Sequence, residues 1–156
     1  MTPWIRHRAA LALSAACAAA AAPAAAHVTL AERQAQAGGY SRLTLQVPHG
    51  CAGRPTTGLA VDLPPGLASV KPMPKPGWTL DVQRQGDNVS RVTWTARTRE
   101  DALADSHYDE FVLVATAPAE PATVEWPVEQ VCVQGRSEWK PKLEIIPSAA
   151  AGGHKH

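Results

Sequence analysis

Ser41-Arg42-Leu43-Thr44-Leu45-Gln46-Val47 alternates polar and apolar side chains from Arg42 onward. Leu43, Leu45 and Val47 point one way, and Arg42, Thr44 and Gln46 point the other. A period of two marks a strand with one buried face. Upstream, Gly38-Gly39 punctuates the chain after a short first strand, His27-Val28-Thr29-Leu30. Downstream, Pro48-His49-Gly50-Cys51-Ala52-Gly53 reads as a loop from its Pro and Gly content. Leu59, Val61 and Leu63 alternate again before Pro64-Pro65-Gly66. The Pro-rich stretch Lys71 to Trp78 is a connection or a sheet edge, because proline cannot donate to a ladder. Trp78–Val82 and Val89–Thr95 flank Gln85-Gly86-Asp87-Asn88, a hairpin signal. Arg99 to Ser106 is polar and is expected to hold a short helical turn. Tyr108 to Thr116 is the next strand. Val124 to Val133 is long, and Pro127 predicts that it bends or changes sheets. Gln134–Ser137 is a turn, and Trp139 to Ile146 is the last strand. Short strands at this spacing, with turn signals between them and no helical periodicity, predict an all-β sandwich.

The first 26 residues have a different character. Arg6 and Arg8 precede an almost unbroken Ala and Leu run, Ala9 to Ala22, and Pro23 stands before Ala24-Ala25-Ala26. A basic start, an apolar middle and a small-residue exit are the parts of a signal peptide. The expected division is residues 1–26 as signal peptide, 27–147 as one β-sandwich domain and 148–156 as a flexible tail. Cleavage after Ala26 leaves 130 residues, a length suited to one domain. The leader holds two of the 15 Lys and Arg and none of the 14 acidic residues, so the mature chain carries a formal charge of −1. That balance offers no footprint for nucleic acid. No apolar run after the leader approaches the ~20 residues that span a bilayer. The expected product is exported, periplasmic or secreted, with no membrane span after cleavage.

Cleavage after Ala26 would give His27 a free α-amine. That amine and the imidazole Nδ1 can close a six-membered chelate ring on one metal ion. Nitrogen donors of this kind suit copper(II), at the top of the Irving–Williams order. The plain alternative is a histidine that follows the cut by accident. Of the three cysteines, Cys17 lies in the leader, where Ser14-Ala15-Ala16-Cys17 is a poor match to a lipoprotein site. Cys51 and Cys132 remain, and an even pair in an oxidising compartment reads as a disulfide. Two thiolate ligands to a metal are the other reading, though no C-x-x-C spacing accompanies them. Met73 is a rigid-loop residue or a soft copper(I) ligand. His154 and His156 follow Gly152-Gly153 in a stretch able to capture Cu(II) or Ni(II) weakly, or are simply solvated.

A set of motifs in order carries a resemblance. These are His27-Val28-Thr29-Leu30, Tyr40 with Leu45-Gln46-Val47-Pro48-His49-Gly50-Cys51, and Pro72-Met73-Pro74-Lys75-Pro76-Gly77-Trp78. Tyr108-Asp109-Glu110-Phe111 and Trp126-Pro127-Val128-Glu129-Gln130-Val131-Cys132 with Glu138-Trp139 complete it. Together they resemble the YcnI-like family over nearly the whole mature chain. The resemblance implies an immunoglobulin- or cupredoxin-like sandwich that binds copper(II) through its mature N-terminal histidine, a monohistidine brace. It also implies a copper chaperone or buffer, with membrane copper transporters or other periplasmic copper carriers as partners. Carried over by position, His27 matches the brace histidine and Trp139 the tryptophan beside the metal. An indole there can shield the cation or limit solvent access; otherwise Trp139 is a core aromatic. Trp78, Trp94 and Trp126 read as packing residues. Bacillus members have a glutamate shortly after the Val-Pro step, and this chain has none there. His49 is the replacement ligand, or the loop is tied down by Cys51 and supplies none.

Two other function classes fit less of the sequence. A copper-dependent redox enzyme would use the brace to activate oxygen, as the two-histidine braces of polysaccharide monooxygenases do. A metal-free interaction sandwich would leave His27 idle. No Ser-His-Asp order, phosphate-cradling loop or paired-carboxylate pattern stands out, so the expectation is a binding protein, not an enzyme.

Overall fold

A computed structural model describes residues 27–148. The expected leader and the tail histidines His154 and His156 lie outside the described residues. Alternation makes the first sheet. β3 (Tyr40–Val47) buries Leu43, Leu45 and Val47 at 2, 1 and 0% exposure. It pairs antiparallel with β1 (Thr29–Leu30) on one side and β8 (Asp109–Thr116) on the other. β5 (Ala68–Pro72) closes this four-stranded sheet on the far edge, where the ladder tolerates a proline. Thr44 points away from the core as its place in the alternation requires, yet it too is buried. Its N–H and hydroxyl both donate to the Glu32 carboxylate, which covers it, at 2.7 and 3.0 Å.

The second sheet has five strands in the order β11 (Arg136–Trp139), β10 (Val128–Cys132), β4 (Thr56–Asp62), β7 (Asn88–Ala96) and β6 (Trp78–Gln85). The β6–β7 hairpin turns through Gly86 and Asp87, with Gly86 at φ 62°. Inward side chains of the two sheets form one core. Trp94 and Trp78 both meet Phe111 edge to face, at centroid distances of 5.6 and 5.1 Å. Such pairs add about 0.5–1.5 kcal/mol beyond the area they bury. Trp78, Trp94 and Trp126 are packing residues, as expected.

A small third sheet holds β2 (Gln34–Gln36), β12 (Lys142–Ile146) and β9 (Ala122–Glu125). Two of the chain's changes of sheet, both at prolines, help to build it. At Trp126-Pro127 the chain passes from β9 to β10, the switch that Pro127 predicts. At Lys140-Pro141 it passes from β11 to β12, so the expected single strand from Trp139 to Ile146 is two strands. Proline offers no N–H to continue either ladder. The crossings brace each other, since the Trp126 N–H donates to the Pro141 carbonyl at 2.9 Å. Trp139 therefore ends an edge strand of the five-stranded sheet instead of starting a strand of the small one.

The expected helical turn in 99–106 is replaced by tight turns. Thr98 and Asp101 bond reciprocally: the Thr98 N–H and hydroxyl donate to Asp101 Oδ2, and the Asp101 N–H donates to Thr98 Oγ1. This reciprocal pattern is the capping box that opens helices, but the chain leaves it after a single turn. Leu103 is then buried and bridges to Thr56. Among the described residues no helix is long and apolar enough to cross a membrane.

Candidate metal centre

His27 is exposed while Val28, next to it, is buried at 2%. The alternation continues into β1, with Thr29 outward and Leu30 inward. β1 is the edge of one sheet and β11 the edge of the other, and at this corner His27 meets Trp139. Their ring centroids are 4.8 Å apart and their planes 78° apart, an edge-to-face contact. Sequence reasoning pairs these two residues from opposite ends of the domain, and the fold brings them together.

Trp139 is half-buried and held from behind. Its Nε1–H donates to Gln130 Oε1 at 3.0 Å. Gln130 is 1% exposed, and its Nε2 donates to the His49 carbonyl at 2.7 Å and to Thr56 Oγ1 at 2.8 Å. The Thr56 hydroxyl in turn lies 3.9 Å from Cys132 Sγ. Cys132 is bonded to Cys51, with Cα atoms 5.9 Å apart. The pair is thus a disulfide, and neither sulfur is available as a thiolate ligand. Sequence reasoning missed Gln130. The available signal was an amide in register with Val128 and Cys132 on the inward face of β10, where an apolar side chain is the default.

His49 lies on the loop that Cys51 fastens. Its Nδ1 meets the Gly50 carbonyl. A carbonyl only accepts, so Nδ1 carries a hydrogen, and Nε2 is the nitrogen that can present a lone pair when the ring is neutral. Through Gln130 the His49 main chain is tied to Trp139. Met73 is about half exposed beyond the end of β5, and its carbonyl accepts the Trp94 indole N–H. Among the described residues no three His, Cys, Asp or Glu side chains gather as a metal cluster.

Charged groups near the corner are mostly committed to one another. A groove of about 310 Å3 beside Trp139 is lined by Asp62, Arg91, Glu129, Arg136 and Glu138. Arg91 bridges Asp62 at 2.6 Å and Glu129 at 2.9 Å, and Arg136 reaches Glu129 at 2.8 Å. On the outer face of the first sheet, Thr29 bonds Gln46, and Gln46 Nε2 donates to the Tyr108 hydroxyl. Tyr108 donates in turn to Glu110 at 2.6 Å. That bond holds the Glu110 carboxyl below its ordinary range and pushes the Tyr108 phenol up.

Fold and site define a class: an all-β sandwich with an exposed histidine set against a tryptophan where the edges of two sheets meet. The family model described as Domain of unknown function (DUF1775) matches residues 27–151, and the chain belongs to this YcnI-like family. The copper-binding protein CutI of Bacillus subtilis (strain 168) is 29% identical over 115 residues, which are 73% of this chain and 55% of CutI. The chain thus spans little more than half the length of that curated relative. A crystal structure of an uncharacterised Nocardia farcinica protein with an immunoglobulin-like fold superposes with a TM-score of 0.68. It is 29% identical, over 76% of this chain and 97% of that one. A cohesin module of a Clostridium perfringens family 33 glycoside hydrolase reaches 0.53 at 7% identity, covering 78% of this chain and 99% of the module, a likeness of fold alone.

Proposed function

We propose that this chain is an exported copper(II)-binding protein, cleaved after Ala26, that carries or buffers the metal through the α-amine and imidazole Nδ1 of His27. The observation that carries this reading is the exposed His27 ring set edge to face against Trp139. Family membership beginning at residue 27 and likeness to a copper-binding relative support it. One residue supplies both brace nitrogens, so the site needs no cluster of three side chains. Trp139 would shield one side of the ion. His49 Nε2, with its lone pair free of the Gly50 bond, is the candidate further ligand where Bacillus members have glutamate. Asp62, Glu129 and Glu110 are engaged by Arg91, Arg136 and Tyr108 and serve the metal less well. The natural partners are membrane copper transporters or other periplasmic copper carriers, and the role is transfer, not oxygen chemistry.

N-terminal mass analysis of the exported protein should find His27 first. Copper(II) titration should then use protein ending at Ser148, which lacks His154 and His156. His27→Ala, or one extra residue before His27, should weaken binding at least tenfold, because the extended chain keeps the imidazole but turns the amine into an amide. The amine titrates near ~7.7–8.0 and must lose its proton to bind, so affinity should fall as pH drops through that range. Equal affinity for native and extended N-termini would sink the brace. Oxygen consumption with added reductant, above that of free copper, would favour the enzyme reading.

A further inference from the structure

We infer that Gln130 is the positioning residue of the metal corner. It sets the Trp139 indole against His27 and couples it to the His49 loop, so that the tryptophan and the candidate further ligand are placed by one side chain. This rests on the copper reading of His27.

The amide has one possible orientation. Trp139 Nε1 only donates, so it must face Oε1; the His49 carbonyl only accepts, so it must face Nε2. The second Nε2 hydrogen goes to Thr56 Oγ1. The disulfide sulfur has no hydrogen to give, so the Thr56 hydroxyl donates to Cys132 Sγ. A directed chain therefore runs from the indole through Gln130 and Thr56 to the disulfide. It joins β11, β10, β4 and the 48–53 loop. Filling an indole's hydrogen-bond need does not require such a device. Trp94 spends its indole N–H on the main-chain carbonyl of Met73, and the buried Trp126 indole N–H has no partner among the described residues. Among the described residues, only the indole that touches His27 is held by a buried side chain whose other end grips the main chain of His49. Because Gln130 is 1% exposed, rotating it away would break its bonds to His49 O, Thr56 and Trp139 together, which fixes it in place.

The test compares native-N-terminus protein ending at Ser148 with its Gln130→Met, Trp139→Phe and doubly substituted forms, and with His27→Ala as the reference for the copper reading. Methionine keeps the volume and removes all three bonds. Partners one layer behind a metal ligand commonly tune affinity 10–100-fold. Gln130→Met should lower copper(II) affinity about tenfold and change the copper EPR hyperfine splitting. Trp139→Phe should do the same, and the double variant should lose little more than either single one. In the unsubstituted protein the Trp139 indole N–H resonance should exchange slowly with solvent, a readout that holds even if Gln130→Met fails to fold. A folded Gln130→Met with unchanged affinity and EPR spectrum, effects that add in full, or a rapidly exchanging Trp139 N–H each overturns the inference while His27-dependent binding stands. If His27→Ala binds copper as well as the parent, the copper reading falls and takes this inference with it.

Discussion

Glu110 shows how a single carboxylate near the site is taken out of play. Tyr108 donates to it at 2.6 Å, and Arg42 lies 3.8 Å from its other oxygen. The hydrogen bond, more than the arginine, holds its carboxyl below the ordinary value of 4.5. A carboxyl whose folded value is depressed contributes stability that is present above its unfolded value and lost as pH falls through the folded one. Replacing it should remove that contribution. Urea midpoints of the parent and Glu110→Gln, followed from neutral pH into acid, should differ most above about pH 4.5 and converge below it. A constant gap across the acid range would mean that the Tyr108 bond does not discriminate charge states. The Tyr108 phenol works in the opposite sense. Its value is raised, so its contribution is intact below the ordinary 10.0 and fades only in strong alkali.

Among the elements, the 48–53 loop is the one that carries the candidate further ligand, His49. It turns tightly: Cys51 bridges Arg54, and the two residues between them, Ala52 and Gly53, both take positive φ, at 48° and 76°. Two central residues with positive φ define the tight hairpin turn that Asn and Gly favour. Gly50 is required for another reason. A Cβ there would fall onto the Arg54 carbonyl, and the Gly50 N–H is already bound to Asp105 Oδ1 at 3.0 Å. Overpacking a closed site costs ~1–3 kcal/mol. Gly50→Ala should lower stability by about that much in urea denaturation, and it should loosen His49 beside it. Much of the element map was legible because its signals are local. Alternation marks β3, the Gly86-Asp87 step marks the β6–β7 hairpin, and Pro127 marks a sheet change. Pro141 carries the same signal, yet the β-rich run around it masks the break, and with it Trp139's place at a sheet edge. The pairing of His27 with Trp139 was legible only through family resemblance, since no periodicity links positions 112 residues apart. Gln130 was marked only by an amide at an inward register position of β10, and its role declares itself only when its partners on three other segments are known.

At the scale of the whole molecule, the disulfide fastens the passage between the sheets. β3 belongs to the four-stranded sheet and β4 to the five-stranded one, and Cys51 sits in the connection between them. Cys132 ends β10, beside β4. The bond thus pins the sheet-to-sheet crossover to a strand that lies 81 positions later in sequence. Both sulfurs are buried in the folded state, so the main effect of cutting the bond falls on the unfolded chain, which gains the freedom of a long open loop. The loop-closure relation gives about 4.5 kcal/mol for this length, and measured losses for native disulfides run ~2–5 kcal/mol. Replacing both cysteines by alanine, so that no stray thiol remains to bind copper, should therefore lower the unfolding free energy by that amount. The urea slope should rise as well, because an unfolded chain without the cross-link exposes more surface. The same variant separates fold from site. Gln130 keeps its bonds to Trp139 and the His49 carbonyl without the sulfurs, so at temperatures where the variant stays folded copper(II) affinity should drop less than in Gln130→Met. An affinity loss equal to or greater than that of Gln130→Met, in protein still folded by circular dichroism, would mean that the disulfide and not the amide holds the corner together.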